Sequence, residues 1–315
     1  MKSTIIKFGI YITIIILIHY FTALSAGSYF DPFYLRFTTG KHHSIILGTS
    51  RAAQGLLPEE LNKNLGDEYS PLFNFAFTGL NSPFGKVYSN AILQKLDTTK
   101  TSKKNVFIIS VDPWSISIKN NPTDNPEKYR ENGLFLDIMK TIGKKGKPNY
   151  EYLIKGYSES WGKILYRPIT NKKIMTLHND GWLEVNVPMD ETAVKNRITA
   201  KVKSYNKISE IYHFSPNRFL ALKKLVLQLK KHGIVVLVRM PARNEIKIIE
   251  NKFFADFDNK ICALSSESDV RYWSFMNQLE EHTFTDGTHL FKDSGRKISK
   301  QIATMIKTDT PSTCN

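Results

Sequence analysis

Hydrophobic residues fall along this chain in three patterns. The first is an unbroken block. After Lys2 and Lys7, residues Phe8 to Phe30 (FGIYITIIILIHYFTALSAGSYF) carry no Lys, Arg, Asp or Glu, and isoleucines run round every side of a helix drawn through them. A helix apolar on all sides suits lipid, and about 20 such residues cross the roughly 30 Å of a bilayer core. The second pattern is short apolar runs closed by turn residues. These are Ser44 to Leu47 before Gly48, Leu72 to Phe77 before Thr78-Gly79, Asn105 to Val111 before Asp112-Pro113, and Ile234 to Val238 before Arg239-Met240-Pro241, with Ser268 to Phe275 as a weaker fifth. Near-continuous apolar runs predict strands covered on both faces, as in a parallel sheet. The third pattern is helical spacing between those runs, in Leu56 to Leu65, Phe84 to Leu96, Pro216 to His232 and Asp293 to Ile306. In Pro216 to His232, Phe219, Leu222, Leu225, Val226 and Leu229 recur on one face, with Pro216 at the start and Gly233 at the end.

Strands alternating with helices predict an α/β fold, an open, doubly wound parallel sheet flanked by helices. Residues 114 to 215 break the rhythm. They are rich in polar, aromatic, Pro and Gly residues and read as a long insertion between strands three and four, near the carboxyl ends of the strands. The expected division is an N-terminal transmembrane anchor or signal peptide over 1–30, an α/β domain over 31–307, and a flexible tail over 308–315. Lys2 and Lys7 place the N-terminus in the cytoplasm and the domain outside it. Ala23-Leu24-Ser25 has the small-x-small form of a signal-peptidase site, so a cleaved, secreted form stands beside the anchored one.

Charge adds a partner class. Lys and Arg number 44 against 29 Asp and Glu, a formal net charge of +15, which suits an anionic neighbour such as an acidic membrane surface or polymer. The lysines are scattered and no nucleic-acid-binding motif accompanies them, which argues against nucleic acid. Cys262 and Cys314 lack the spacing of a zinc site, and whether they pair stays open. No metal is expected, and without a P-loop or dinucleotide fingerprint no organic cofactor is expected either.

Three segments carry candidate chemistry. In Ile45 to Pro58 (IILGTSRAAQGLLP) a strand runs straight into Gly48-Thr49-Ser50, setting a serine hydroxyl at the start of the next helix, on the sheet edge where such folds bind ligands. There the helix start offers backbone N–H groups to an oxyanion; a plain N-cap serine is the alternative. In Thr283 to Gly295 (TFTDGTHLFKDSG) Asp286 and His289 lie close enough for the carboxylate to orient the imidazole. In Asn74 to Asn81 (NFAFTGLN) Gly79 follows a strand and can offer its N–H to an anion. Arg51 beside Ser50, and Arg239 and Arg243 after the fourth strand, are candidates to meet an anionic substrate. His178, Asp180 and Trp182 form a candidate lid, with a packed tryptophan as the plainer reading.

Strand–Gly–x–Ser, then strand–Gly, then a late Asp-x-x-His before a terminal helix resembles the SGNH/GDSL hydrolase superfamily. The resemblance covers roughly 44–112 and 233–306, and is strongest to membrane-anchored members associated with cell-envelope polymers, such as the D-alanyl transfer protein of teichoic-acid synthesis and the alginate O-acetylation proteins. It implies a flavodoxin-like sheet, Ser50 as nucleophile, His289 as base, Asp286 as its orienter, and Gly79 as an oxyanion donor. Thr49 stands where the family has Asp. At the third block, where the family places an oxyanion-hole Asn, this chain has Asp112-Pro113-Trp114. An ionised Asp112 would repel an oxyanion; it is expected to pair with Arg51 or to bind a substrate hydroxyl or amine, with Asn81 as substitute donor. The implied function is a serine esterase or O-acyltransferase acting on a cell-envelope glycan or acidic polymer. The alternative is a non-catalytic envelope protein of the same fold that binds glycan or a membrane-bound acyltransferase.

Overall fold

A computed structural model describes residues 2–119, 123–170, 174–278 and 281–314. Helix α1 (Lys2–Ser25) is long and apolar enough to cross a membrane or to serve as a signal sequence. Most of it is exposed. Its end is not: Thr22 and Ala23 are buried, and Ala26 and Phe30 beyond it join the main core.

The domain then alternates as the apolar runs predict. β1 (Ser44–Leu47) leads into α2 (Ser50–Gly55) and α3 (Pro58–Leu65). β2 (Leu72–Asn74), α4 (Lys86–Lys95) and β3 (Val106–Ser110) follow. The insertion holds β4 (Ser117–Lys119), α5 (Phe135–Ile138), α6 (Tyr150–Lys155), α7 (Gly162–Thr170), β5 (Met175–Leu177), β6 (Leu183–Val185), α8 (Glu191–Ile211) and β7 (Tyr212–Phe214). The chain returns through α9 (Pro216–Lys230) to β8 (Ile234–Arg239). It closes with α10 (Asn244–Phe253), α11 (Phe257–Ser268), β9 (Arg271–Ser274) and α12 (Lys292–Lys307).

Five strands form one parallel sheet in the order β2-β1-β3-β8-β9. Every residue of β1, β2 and β3 is buried, the outcome expected of strands covered on both faces. Helices α2 and α3 pack with α12, and α9 packs with α4 and α11. The strand order reverses between β1 and β3, and the crevice at such a reversal is where open α/β sheets hold ligands. Ser50 lies just past the carboxyl end of β1.

The second strand is shorter than its apolar run. It stops at Asn74, whose N–H donates to Asp180 O in the insertion, and whose side-chain amide donates to Ala52 O and Leu56 O, each at 2.9 Å. The fifth is likewise confined to Arg271–Ser274. The expectation of a flexible C-terminal tail is corrected. Trp273 Nε1 donates to Thr310 O and Pro311 O, Thr313 N donates to Tyr272 O, and Cys314 is disulfide-bonded to Cys262. Thr308–Cys314 therefore runs along the outer edge of β9, which would otherwise expose unpaired backbone groups.

Candidate active site

Gly48 makes the turn that presents Ser50. Its φ of +136° lies in the region that favours glycine, and an added Cβ would come within 2.8 Å of Ser110. Tyr88 steadies the turn by accepting from Gly48 N at 3.1 Å and donating to Phe75 O at 2.7 Å. Helix α2, which begins at Ser50, has only six residues, so its dipole is that of under two turns. What it supplies is placement. Its first backbone bonds run from Ala52 and Ala53 to Thr49 O, ahead of which lies the Ser50 N–H.

The loop before α12 brings the other two residues. His289 Nε2 lies 2.8 Å from Ser50 Oγ, and His289 Nδ1 lies 2.9 Å from Asp286 Oδ2 and 3.0 Å from Oδ1. Asp286 Oδ1 also accepts from the N–H groups of Thr288 and His289, both at 3.1 Å, which fixes the carboxylate against its own loop. An ionised carboxylate only accepts, so Nδ1 carries the proton and Nε2 is left to accept from the serine hydroxyl. Ser50 and the Asp286–His289 pair, 239 residues apart at the serine–histidine contact, thus form one continuous chain.

Asp286 has a further partner, Lys201 of α8, with Nζ 2.7 Å from Oδ2. Burial on its own would raise the Asp286 pKa, but the His289 hydrogen bond and charge together with Lys201 outweigh it and hold the carboxyl well below the usual range. One turn earlier, Arg197 Nε donates to Thr285 O at 2.7 Å, and Arg243 N donates to Gly287 O at 2.8 Å from the start of α10. The loop bearing the Asp and His is therefore gripped from α8 on one flank and α10 on another. Neither Lys201 nor Arg197 stands out in the sequence. The signal was the spacing of Val194, Ile198, Val202 and Tyr205 behind Asp190, whose side chain caps α8 by accepting from Ala193 N. Val202 and Tyr205 pack on a small cluster of Ala242, Ile246, Ile249 and Met276.

Gly79 and Asn81 occupy the turn after β2, and neither hydrogen-bonds the Ser–His–Asp chain. Both flanks of that turn are tied to Gly48: Phe77 N donates to Gly48 O at 3.2 Å, and Ser82 Oγ to the same oxygen at 2.7 Å. Asn81 Nδ2 donates to Thr78 Oγ1 at 3.0 Å.

Two expectations about cations are overturned. Arg51 and Arg239, foreseen as substrate contacts, are buried and share one carboxylate. Arg51 bonds Glu250 Oε1, and Arg239 NH2 donates to Glu250 Oε2 at 3.1 Å. Arg239 also pairs with Asp258, which accepts from Tyr272. Trp114 Nε1 completes Glu250 at 2.8 Å. Burial opposes ionisation of Glu250, but the two arginines hold its pKa below the ordinary value. A buried carboxylate needs such partners, and it recruits the nearest cations. The pairing foreseen between Asp112 and Arg51 gives way for the same reason: no hydrogen bond links them. Asp112 accepts from Thr49 Oγ1 at 2.8 Å and from Ser115 N at 2.8 Å, capping the short turn Pro113–Ile116. Burial holds its pKa above the usual range, against the opposing charge of Arg51.

Trp182 is buried and donates from Nε1 to Gln54 O at 2.9 Å, one turn along from Ser50, while its ring stacks on His178 at 4.5 Å. It packs rather than hangs as a lid. Arg243 is paired with its neighbour Glu245. No group of metal-ligating residues occurs among the described residues.

No protein-family model, curated protein or solved structure matches this chain.

Proposed function

We propose that this chain is a serine-dependent acyl-transfer enzyme of the SGNH type. It moves an acyl group from an ester to water, or to a hydroxyl of a cell-envelope glycan or acidic polymer. One observation carries the reading: the unbroken Ser50–His289–Asp286 chain, at 2.8 and 2.9 Å. Serine, histidine and aspartate within hydrogen-bond reach, in the order nucleophile, base and orienter, is the arrangement that activates a hydroxyl for attack on a carbonyl.

In the first step Ser50 Oγ attacks the acyl carbon while its proton passes to His289 Nε2. Asp286, whose pKa burial would raise but His289 and Lys201 hold below the usual range, balances the imidazolium. The tetrahedral oxyanion would be met by the N–H of Ser50, with Gly79 and the second amide hydrogen of Asn81 as candidate further donors. Collapse breaks the ester C–O bond, and the departing alkoxide takes the proton back from His289. Water or an acceptor hydroxyl, deprotonated by His289, then attacks the acyl-serine and releases Ser50.

The residues also bear on the non-catalytic alternative. A binder would be favoured by a histidine turned away or by Asp112 held free to fill the anion site; here His289 faces Ser50 and both Asp112 oxygens are engaged. An extracytoplasmic, membrane-anchored placement is supported by α1 behind Lys2, and by the Cys262–Cys314 disulfide, a bond that persists in oxidising compartments. Burial of Thr22 and Ala23 favours retention of the anchor, since cleavage after Ser25 would strip them from the domain they pack on.

The test is hydrolysis of p-nitrophenyl acetate by the detergent-solubilised full chain, beside Ser50→Ala and His289→Ala, with labelling by a fluorophosphonate. Turnover and labelling lost in both variants support the reading. A wild type that neither turns over nor labels overturns the catalytic assignment.

A further inference from the structure

Helix α7 is amphipathic and part of its apolar surface is exposed. Ile164 is fully buried against the domain, whereas Leu165 and Tyr166 are each 49% exposed and Ile169 is 85% exposed. No apolar residue of α1 exceeds 67%. Leu165 and Ile169 are four apart and so lie on one face. A soluble domain gains nothing by showing such a face to water.

Helix α7 packs against α1, and Trp161, at its start, meets the His19 ring at 5.4 Å between centroids. Arg167 NH1 donates to Phe30 O at 2.6 Å, and Tyr157 packs on Phe30 at 4.7 Å. The helix is thus fastened to the last turns of the apolar helix and to the chain leaving it. His19 is six residues before Ser25, about 9 Å along a helix axis, which puts α7 level with the end of the apolar span. Residue types match that level. Trp161, Tyr157 and Tyr166 are amphipathic aromatics of the sort that gather at membrane surfaces, and Lys163 and Arg167, both paired with Glu159, have stems long enough to reach headgroups.

We propose that α7 is a second membrane contact: it lies in the interface of the bilayer crossed by α1, with Leu165 and Ile169 among the lipid chains. This rests on the reading of α1 as a retained anchor. The occupant is lipid rather than another protein because the face is continuous with a helix whose own surroundings are lipid. A helix seated 5–10 Å into the headgroup boundary is the ordinary position for an amphipathic segment of this kind.

The described chain has no free cysteine, so one introduced thiol can carry an environment-sensitive fluorophore. The full chain, reconstituted in phosphatidylcholine–phosphatidylglycerol vesicles, would be labelled in turn at Ile169→Cys, at Ile12→Cys in α1, and at Ile248→Cys, which is 60% exposed on α10. Lipids bearing a quencher at shallow or deep positions report contact with the bilayer. Expected is strong quenching by the shallow lipid at 169, by the deep lipid at 12, and by neither at 248. Quenching at 12 without quenching at 169 overturns the α7 proposal and leaves the anchor intact. No quenching at 12 overturns the anchor reading and α7 with it. A probe at 169 shielded from aqueous iodide but silent to both lipids means that protein covers the face, which also overturns the proposal.

Discussion

Two clusters of a carboxylate and its cations reach neighbouring residues of helix α2, one Arg51 and the other Ser50, with opposite outcomes. In one, Glu250 is enclosed by Arg51, Arg239 and Trp114, with no exposure left to either arginine head or carboxylate. In the other, Asp286 is held by Lys201 and by a histidine whose far nitrogen faces a partly exposed serine. The first is closed on itself: each of its cations is spent on a carboxylate that already belongs to the fold. The second ends on a hydroxyl with a proton to give. What separates a structural charge cluster from a reactive one is the last atom in the chain of contacts, and whether a substrate can meet it.

Substitutions at the two clusters should therefore fail in different assays. Ser50→Ala and His289→Ala are expected to lower acyl-ester turnover by about 10⁴- to 10⁶-fold while leaving thermal unfolding unchanged, as measured by stopped assays beside calorimetry. Glu250→Gln is expected to cost about 3–5 kcal/mol in urea unfolding, because two arginines are left buried against a neutral amide. If Glu250→Gln kept its stability and lost only turnover, the distinction between the clusters would collapse.

A half-buried ring outside both clusters sharpens the contrast. His42 stacks on Phe73 at 4.0 Å, and burial, then the nearby Lys95, push its pKa down to about 3. The unfolded chain takes a proton there below about pH 6.5 and the folded chain does not, so this part of the stability is full above pH 6.5 and drains as pH falls toward 3. His42→Leu should flatten that slope by about 2 kcal/mol between pH 6.5 and 4, read from urea midpoints at a series of pH values. The smallest effect is expected at Lys201→Met. Removing a cation from Asp286 strengthens its hold on imidazolium, so the acid limb of the rate profile should move to higher pH, by about one unit or less. A shift the other way would mean that Lys201 does not act through Asp286.

The sheet was legible because each strand carries its own apolar run and its own turn. The Ser50, Asp286 and His289 positions were legible for a similar reason: each is defined by neighbours a few residues away, a glycine turn before the serine and a carboxylate three before the histidine. Arg51 misled because its partner is remote, and Arg239 because it meets the same carboxylate, only 11 residues on, across a strand-to-helix turn. Glu250 lies 199 residues beyond Arg51, inside α10, and nothing near Arg51 announces it. The insertion was opaque on the same grounds. Its hairpin of β5 and β6 and its helix α8 show no fully buried face; they take their order from the domain they lean on, through Trp182 to Gln54 and Lys201 to Asp286. Such dependence leaves little imprint on local sequence.

The seam between α1 and the domain has one more implication. Ala23, Ala26 and Phe30 are set in the core, so no slack segment separates the span from the fold. A catalytic head on a long leash samples a volume, and its rate follows the bulk concentration of what it meets. A head bolted to its span sweeps a plane at constant height. On the proposed reading Ser50 would respond to how many substrate molecules share each patch of membrane, and dilution of the surrounding fluid would leave its turnover untouched.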